Sequence, residues 1–217
     1  MLRMALVVVW MAASVGWAAE GKLAVVDADP VGVSEKVAGV LHKGGLQVQV
    51  DGQAVCTLWR VETAPAKADF KSSLNVKYPF TPGQLLGVME VVQKKEFTDF
   101  RGQEVPAGVY TLRYGQQPVD GNHVGTSELY DFVLAVPVKA DVDPAAWKSP
   151  EELFKKSAAT AGSNHPAIFS LLPVEKTVEQ PTLTHDEAKH FWIVTSPLPI
   201  AAGKSIPVRL VVVGRSE

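Results

Sequence analysis

The stretch 46–60 constrains the fold most. Leu46-Gln47-Val48-Gln49-Val50 alternates apolar and polar residues, Asp51-Gly52 follows, and Gln53-Ala54-Val55-Cys56-Thr57-Leu58-Trp59-Arg60 returns. Period-two alternation on both sides of an Asp-Gly pair reads as a β-hairpin, because Asp and Gly tolerate the positive φ that a two-residue turn needs. In that register Val48 is expected opposite Val55 and Leu46 opposite Thr57, with Val48, Val55 and Trp59 on the inward face. The returning strand is apolar on its other parity as well, at Ala54, Cys56 and Leu58, which places it inside a sheet rather than at an edge.

Comparable runs recur along the chain. Residues 85–92 form an apolar run after the turn signal Thr81-Pro82-Gly83, and 97–102 is a further short candidate. Pro106-Ala107-Gly108 launches the clearest strand, in which Tyr110, Leu112 and Tyr114 share one face and Val109, Thr111 and Arg113 the other. Residues 131–138, 167–172, 191–195 and 206–213 are also strand-like, and 177–186 reads as a polar connection. One helix is well signalled at 149–159: Ser149 as N-cap, Pro150 at the first helical position, Glu151 and Glu152 early, Lys155 and Lys156 late. About nine short strands, one short helix and no alternation of strands with helices imply an all-β chain. The expected form is a single antiparallel β-sandwich domain covering residues 19–217.

Residues 1–18 are expected to be a signal peptide. Arg3 gives a positive start, residues 5–17 are apolar and uncharged, and the small residues Ala18-Ala19 follow. Such a run is too short for the roughly 20 residues of a membrane-spanning helix, and cleavage after Ala18 is preferred, with Ala19 second and an uncleaved anchor the rival. The expected address is therefore the periplasm or the cell exterior. The mature chain would have 199 residues and a net charge of −3. In the full chain 21 Lys and Arg face 23 Asp and Glu, leaving no positive surplus for phosphate backbones, so nucleic acid is excluded as a partner. The single cysteine, Cys56, can close no intramolecular disulfide and build no zinc cluster. Its place in an apolar strand marks it as a buried, inert thiol.

The run Glu104-Val105-Pro106-Ala107-Gly108-Val109-Tyr110-Thr111-Leu112-Arg113-Tyr114-Gly115-Gln116-Gln117-Pro118, continuing through Val119-Asp120-Gly121-Asn122-His123-Val124-Gly125-Thr126-Ser127, resembles a family of uncharacterised secreted bacterial proteins. So does Ser163-Asn164-His165-Pro166-Ala167. The resemblance implies export and a shared fold; it carries no activity and no site residue.

Two loops concentrate polar side chains. Asp120-Gly121-Asn122-His123-Val124-Gly125-Thr126-Ser127-Glu128 joins two strands, and Gly162-Ser163-Asn164-His165-Pro166 follows the helix. Loops on a rigid scaffold often display functional groups, so Asp120, Asn122, His123, Asn164 and His165 are the candidate ligand-binding residues. If His123 and His165 converged with Asp120 or Glu128, imidazole and carboxylate together would suit a divalent metal such as copper or zinc. The alternative is that each histidine belongs to its own turn, with Asn122 and Asn164 as turn residues. His185 and His190 cannot chelate from one regular element, since five residues separate them by about 140° on a helix and put them on opposite faces of a strand. The nucleophile-elbow pattern is incomplete: Gly125-Thr126-Ser127-Glu128-Leu129 lacks its second glycine. A non-catalytic binding or structural module of the cell envelope or secretome is the expected function. A metal-binding or metal-dependent protein is the alternative. The cofactor expectation is accordingly none, or that metal, and the partner an envelope component or a small ligand.

Overall fold

The computed structural model describes residues 19–92, 96–117, 129–174 and 176–216. The expected signal peptide, 1–18, lies outside them. Ten strands form one antiparallel order: β1 (Gly21–Val26), β2 (Gly45–Val50), β3 (Gln53–Arg60), β4 (Leu85–Val91), β5 (Gly108–Gln116), β6 (Asp131–Pro137) and β7 (Ile168–Leu172), then β10 (Lys204–Val213), β9 (Phe191–Ile200) and β8 (Thr182–Asp186). The first seven are a meander, in which each strand pairs with the next. The all-β antiparallel expectation holds. The two layers of the expected sandwich are the two halves of one curled sheet, which turns at the short strand β7 and is nearly barrel-like. Its ends meet: β1 lies against β8, and Gly21 sits so close to the indole of Trp192 that a Cβ there would fall 2.1 Å from a ring carbon.

Three register shifts, at Val48/Gln49, Leu85/Gly87 and Val211/Val213, accompany this curvature. A bulge adds a residue to one strand and increases local twist, which a sheet needs in order to curl. The first bulge changes the expected hairpin. Asp51 and Gly52 take φ values of 50° and 76°, and Val50 and Gln49 pair with Gln53 and Ala54, as the two-residue turn requires. Val55 is then the extra residue, so Val48 faces Cys56 and Leu46 faces Leu58. The inward parity of β3 is therefore Cys56, Leu58 and Arg60. Trp59 lies on the other face, where its Nε1–H donates to Ala28 O at 2.7 Å.

The interior is built from Cys56 and Leu58, Met89 and Val91, Tyr110, Leu112 and Tyr114, Val133, Phe169, Leu171, Val194 and Leu210, all buried in one cluster. Tyr110, Leu112 and Tyr114 share this face as expected. Helix α1 (Glu35–Ala38) buries Val37 after an N-cap at Ser34. Helix α2 (Pro150–Ala158) starts as the sequence dictates, with Ser149 Oγ accepting from Glu152 N–H at 3.2 Å and Pro150 in the first turn. It covers the outer face of β6 through Leu153, which packs with Leu134 and Val136. The 97–102 segment is not a strand but a turn organised by Asp99, whereas 182–186, read as a connection, forms the edge strand β8.

Candidate functional site

Of the two polar loops, 163–166 is described. Ser163 Oγ donates to His165 O at 2.9 Å and accepts from His165 N–H at 3.0 Å, so the serine closes this turn. Gln103 anchors the loop to the Asp99 turn: its Nε2 donates to Pro166 O at 3.1 Å, and its Oε1 shares the single Ser163 hydroxyl proton with His165 O. Asn164 and His165 themselves are exposed. Asp120, Asn122, His123 and Glu128 lie outside the described residues, and with them the expected meeting of His123 with His165. Among the described residues no three His, Cys, Asp or Glu side chains gather as a metal site. His185 stacks on Trp192 with ring centroids 4.2 Å apart, and His190 lies in the turn before β9 at φ 55°.

Among the described residues, three centres gather buried polar side chains. Arg113 on β5 is fully buried. Its Nε and Nη2 donate to Asp141 Oδ2 and Oδ1, both at 2.7 Å, its Nη1 donates to Ala145 O at 2.7 Å and Gly83 O at 3.2 Å, and Nη2 also donates to Asp143 O. All five guanidinium hydrogens have acceptors. Asp141 further accepts from Thr111 Oγ1 at 2.5 Å and Trp147 Nε1 at 3.1 Å. Asp99 accepts from the backbone N–H groups of Arg101, Gln103 and Ile168 and from Gln103 Nε2. These two centres fasten loops to strands.

The third centre joins Tyr114, Asp131 and Lys77. Tyr114 O–H donates to Asp131 Oδ1, Lys77 N–H donates to Oδ2 at 2.5 Å, and Gln116 Nε2 donates to the tyrosine oxygen at 2.8 Å. Burial raises the pKa of Asp131 above the ordinary carboxylate value; the hydrogen bonds from Tyr114 and Lys77 oppose it. Burial and the neighbouring carboxylate also push the Tyr114 phenol up. A raised native pKa means that the folded chain holds this proton to higher pH than the unfolded chain. The associated stability is fully present below the model-compound value of 3.8 and is lost as pH rises through the native value. In urea titrations the stability of the natural chain relative to Asp131→Asn is expected to fall as pH rises above the model-compound value of 3.8. A difference that stays flat or grows with pH would contradict this.

A different kind of site lies inside the curl. Eight strands, β2 to β7 with β9 and β10, line an apolar cavity of about 70 Å³, with Leu58, Leu112, Leu198 and Leu210 among its walls. Most lining residues are buried, and Leu46, Arg60, Ser196 and Val208 keep partial exposure and so mark its rim. Arg60 stands out chemically. Its Nη1 is buried and has no hydrogen-bond partner among the described residues, and burial lowers its pKa from the usual guanidinium value. Sequence reasoning passed over Arg60. The signal was its parity with Cys56 and Leu58, hidden because the bulge at Val55 reverses the face that the turn predicts.

Cys56 is fully buried, and desolvation pushes its thiol up to about 12, as befits an inert core residue. Trp59 and Trp192 are core residues as well. Comparison with protein-family models, curated proteins and solved structures finds no match for the chain.

Proposed function

We propose that this chain is an exported, non-catalytic binding module of the periplasm or cell exterior, and that the cavity inside the curled sheet is its ligand site. The observation that carries the reading is the contrast between the polar centres and the cavity. Arg113, Asp141 and Asp99 are consumed by their own loops, whereas the cavity is concave, apolar and enclosed by eight strands, with few polar groups at its rim. Ligand sites in β-barrels have that composition. Export rests on the leader-like residues 1–18 and on the inert lone thiol, which suits a fold that relies on packing rather than disulfides.

The test is a titration of the mature protein, purified after export and checked by intact mass for a start at Ala19, with a homologous series of linear alcohols. Methyl resonances of Leu58, Leu112 and Leu198 report occupancy. Each buried methylene contributes about 0.8 kcal/mol, so affinity should rise about fourfold per carbon. The rise should level off after about three carbons, because 70 Å³ holds only two or three groups the size of water. Shifts confined to surface methyls, or affinity that climbs without levelling, would defeat the reading.

A further inference from the structure

We infer that Arg60 makes this cavity a site for a short-chain organic carboxylate, with the carboxylate on the guanidinium at the rim and the hydrocarbon end inside. The inference rests on the binding reading above and adds the chemical class of the ligand. Arg60 ends β3 on the inward parity, facing Gly87 across the β3–β4 ladder, so no side chain opposes it there. The ion pairs among the described residues are Lys36–Asp143, Lys43–Asp29 and Arg113–Asp141, and none engages Arg60. The neighbouring Glu62 is exposed. Among the described lining residues the other polar side-chain groups are the Ser196 hydroxyl and the Trp59 indole N–H, which is spent on Ala28 O.

The contrast with Arg113 gives this its weight. One interior arginine has an acceptor for every N–H and closes a structural centre. Arg60, partly exposed at the rim, keeps its buried Nη1 unanswered among the described residues beside hydrocarbon. A buried donor left unpaired carries its full desolvation penalty, and native folds avoid that where the group has no task. The missing complement is an anionic acceptor, and a guanidinium matches a planar carboxylate in particular. A single cationic group in an otherwise apolar lining suits a monoanion; a phosphate would need more donors. The volume limits the apolar end to about three carbons.

The experiment titrates the mature protein with butyrate, 1-butanol and inorganic phosphate at one pH and ionic strength, following the same leucine methyls. The natural chain should bind butyrate about tenfold more tightly than 1-butanol, the margin of a charge-assisted hydrogen bond. Arg60→Met should lose that preference while holding 1-butanol within about twofold. Arg60→Lys should retain part of it. Because methionine replaces an unanswered cation with an apolar chain, Arg60→Met should melt no lower than the natural protein. A lower Tm would make Arg60 structural and overturn the inference. So would equal affinity for acid and alcohol, or a preference that survives in Arg60→Met. Phosphate binding as tightly as butyrate would mark an inorganic-anion site and overturn the carboxylate class. Failure of both butyrate and 1-butanol to move the cavity methyls would overturn the binding reading itself, which separates the two failures.

Discussion

Asp141→Ala should cost the fold about 3–5 kcal/mol, read as a drop in urea midpoint, because removing one partner of a buried ion pair strands the other. Arg113 would remain fully buried with Nε unanswered, and the Thr111 hydroxyl and Trp147 indole N–H would lose their acceptor. The pair is less valuable than this figure suggests. Replacing both charges with apolar residues of similar volume is often close to neutral, so Arg113→Met combined with Asp141→Leu should recover much of the loss. Recovery should stop short of complete. The carbonyls of Gly83, Asp143 and Ala145 also depend on Arg113, and no apolar side chain can serve them. A cost below about 1 kcal/mol for Asp141→Ala would mean that the 141–147 loop is held by something other than this centre.

The fold was legible where local chemistry decided it. Ser149 and Pro150 start α2, Asp51-Gly52 makes the hairpin turn, and the alternation in 109–114 sends Tyr110, Leu112 and Tyr114 inward. It was illegible where the curl decides. A bulge at Val55 answers a demand for twist that comes from the whole sheet, and nothing in Val55 itself announces it. Strand β8, Thr182–Asp186, reads as a loop because it ends the strand order: among the described residues its ladder is with β9 alone, β1 lies against it without a ladder, and polar residues suit such a strand.

The same division applies to the sites. The loop 162–166 was visible as a polar cluster, but visibility in sequence favours flanking glycines and histidines, and in the structure Ser163 does the bonding while His165 faces solvent. Arg113 was assigned to the face away from the aromatic residues, correctly. That face is nonetheless buried, because the loop carrying Asp141 folds back over it, and a partner 28 residues away leaves no local trace. Arg60 had a local trace, its parity with two core residues, and was obscured by the shifted register alone.

Tyr78→Ala is expected to cost about 3–5 kcal/mol, and the comparison with Tyr78→Phe separates its two roles. Tyr78 belongs to the long connection between β3 and β4, yet it is 2% exposed and stacks on Phe80 with centroids 5.8 Å apart; Phe80 in turn meets the edge of Tyr114 at 5.5 Å. Its hydroxyl donates to Leu172 O at 2.8 Å and accepts from Arg209 N–H at 3.0 Å. Arg209 and Leu172 are paired across the β7–β10 ladder, whose register holds only one other pair, Leu210 with Leu171. The phenol therefore bridges the two halves of the sheet at the point where they are joined most thinly. Phenylalanine keeps the ring and leaves one N–H and one C=O without this partner, for about 1–3 kcal/mol. Alanine removes the ring as well and opens a cavity under Phe80. Hydrogen exchange locates the effect: in Tyr78→Phe the Arg209 amide should lose protection while the β2–β3 amides keep theirs. If both variants cost the same, the hydroxyl carries the whole effect and the ring none. If Tyr78→Phe leaves Arg209 protected, the ladder holds without the bridge, and the turn of the sheet at β7 must depend on packing alone.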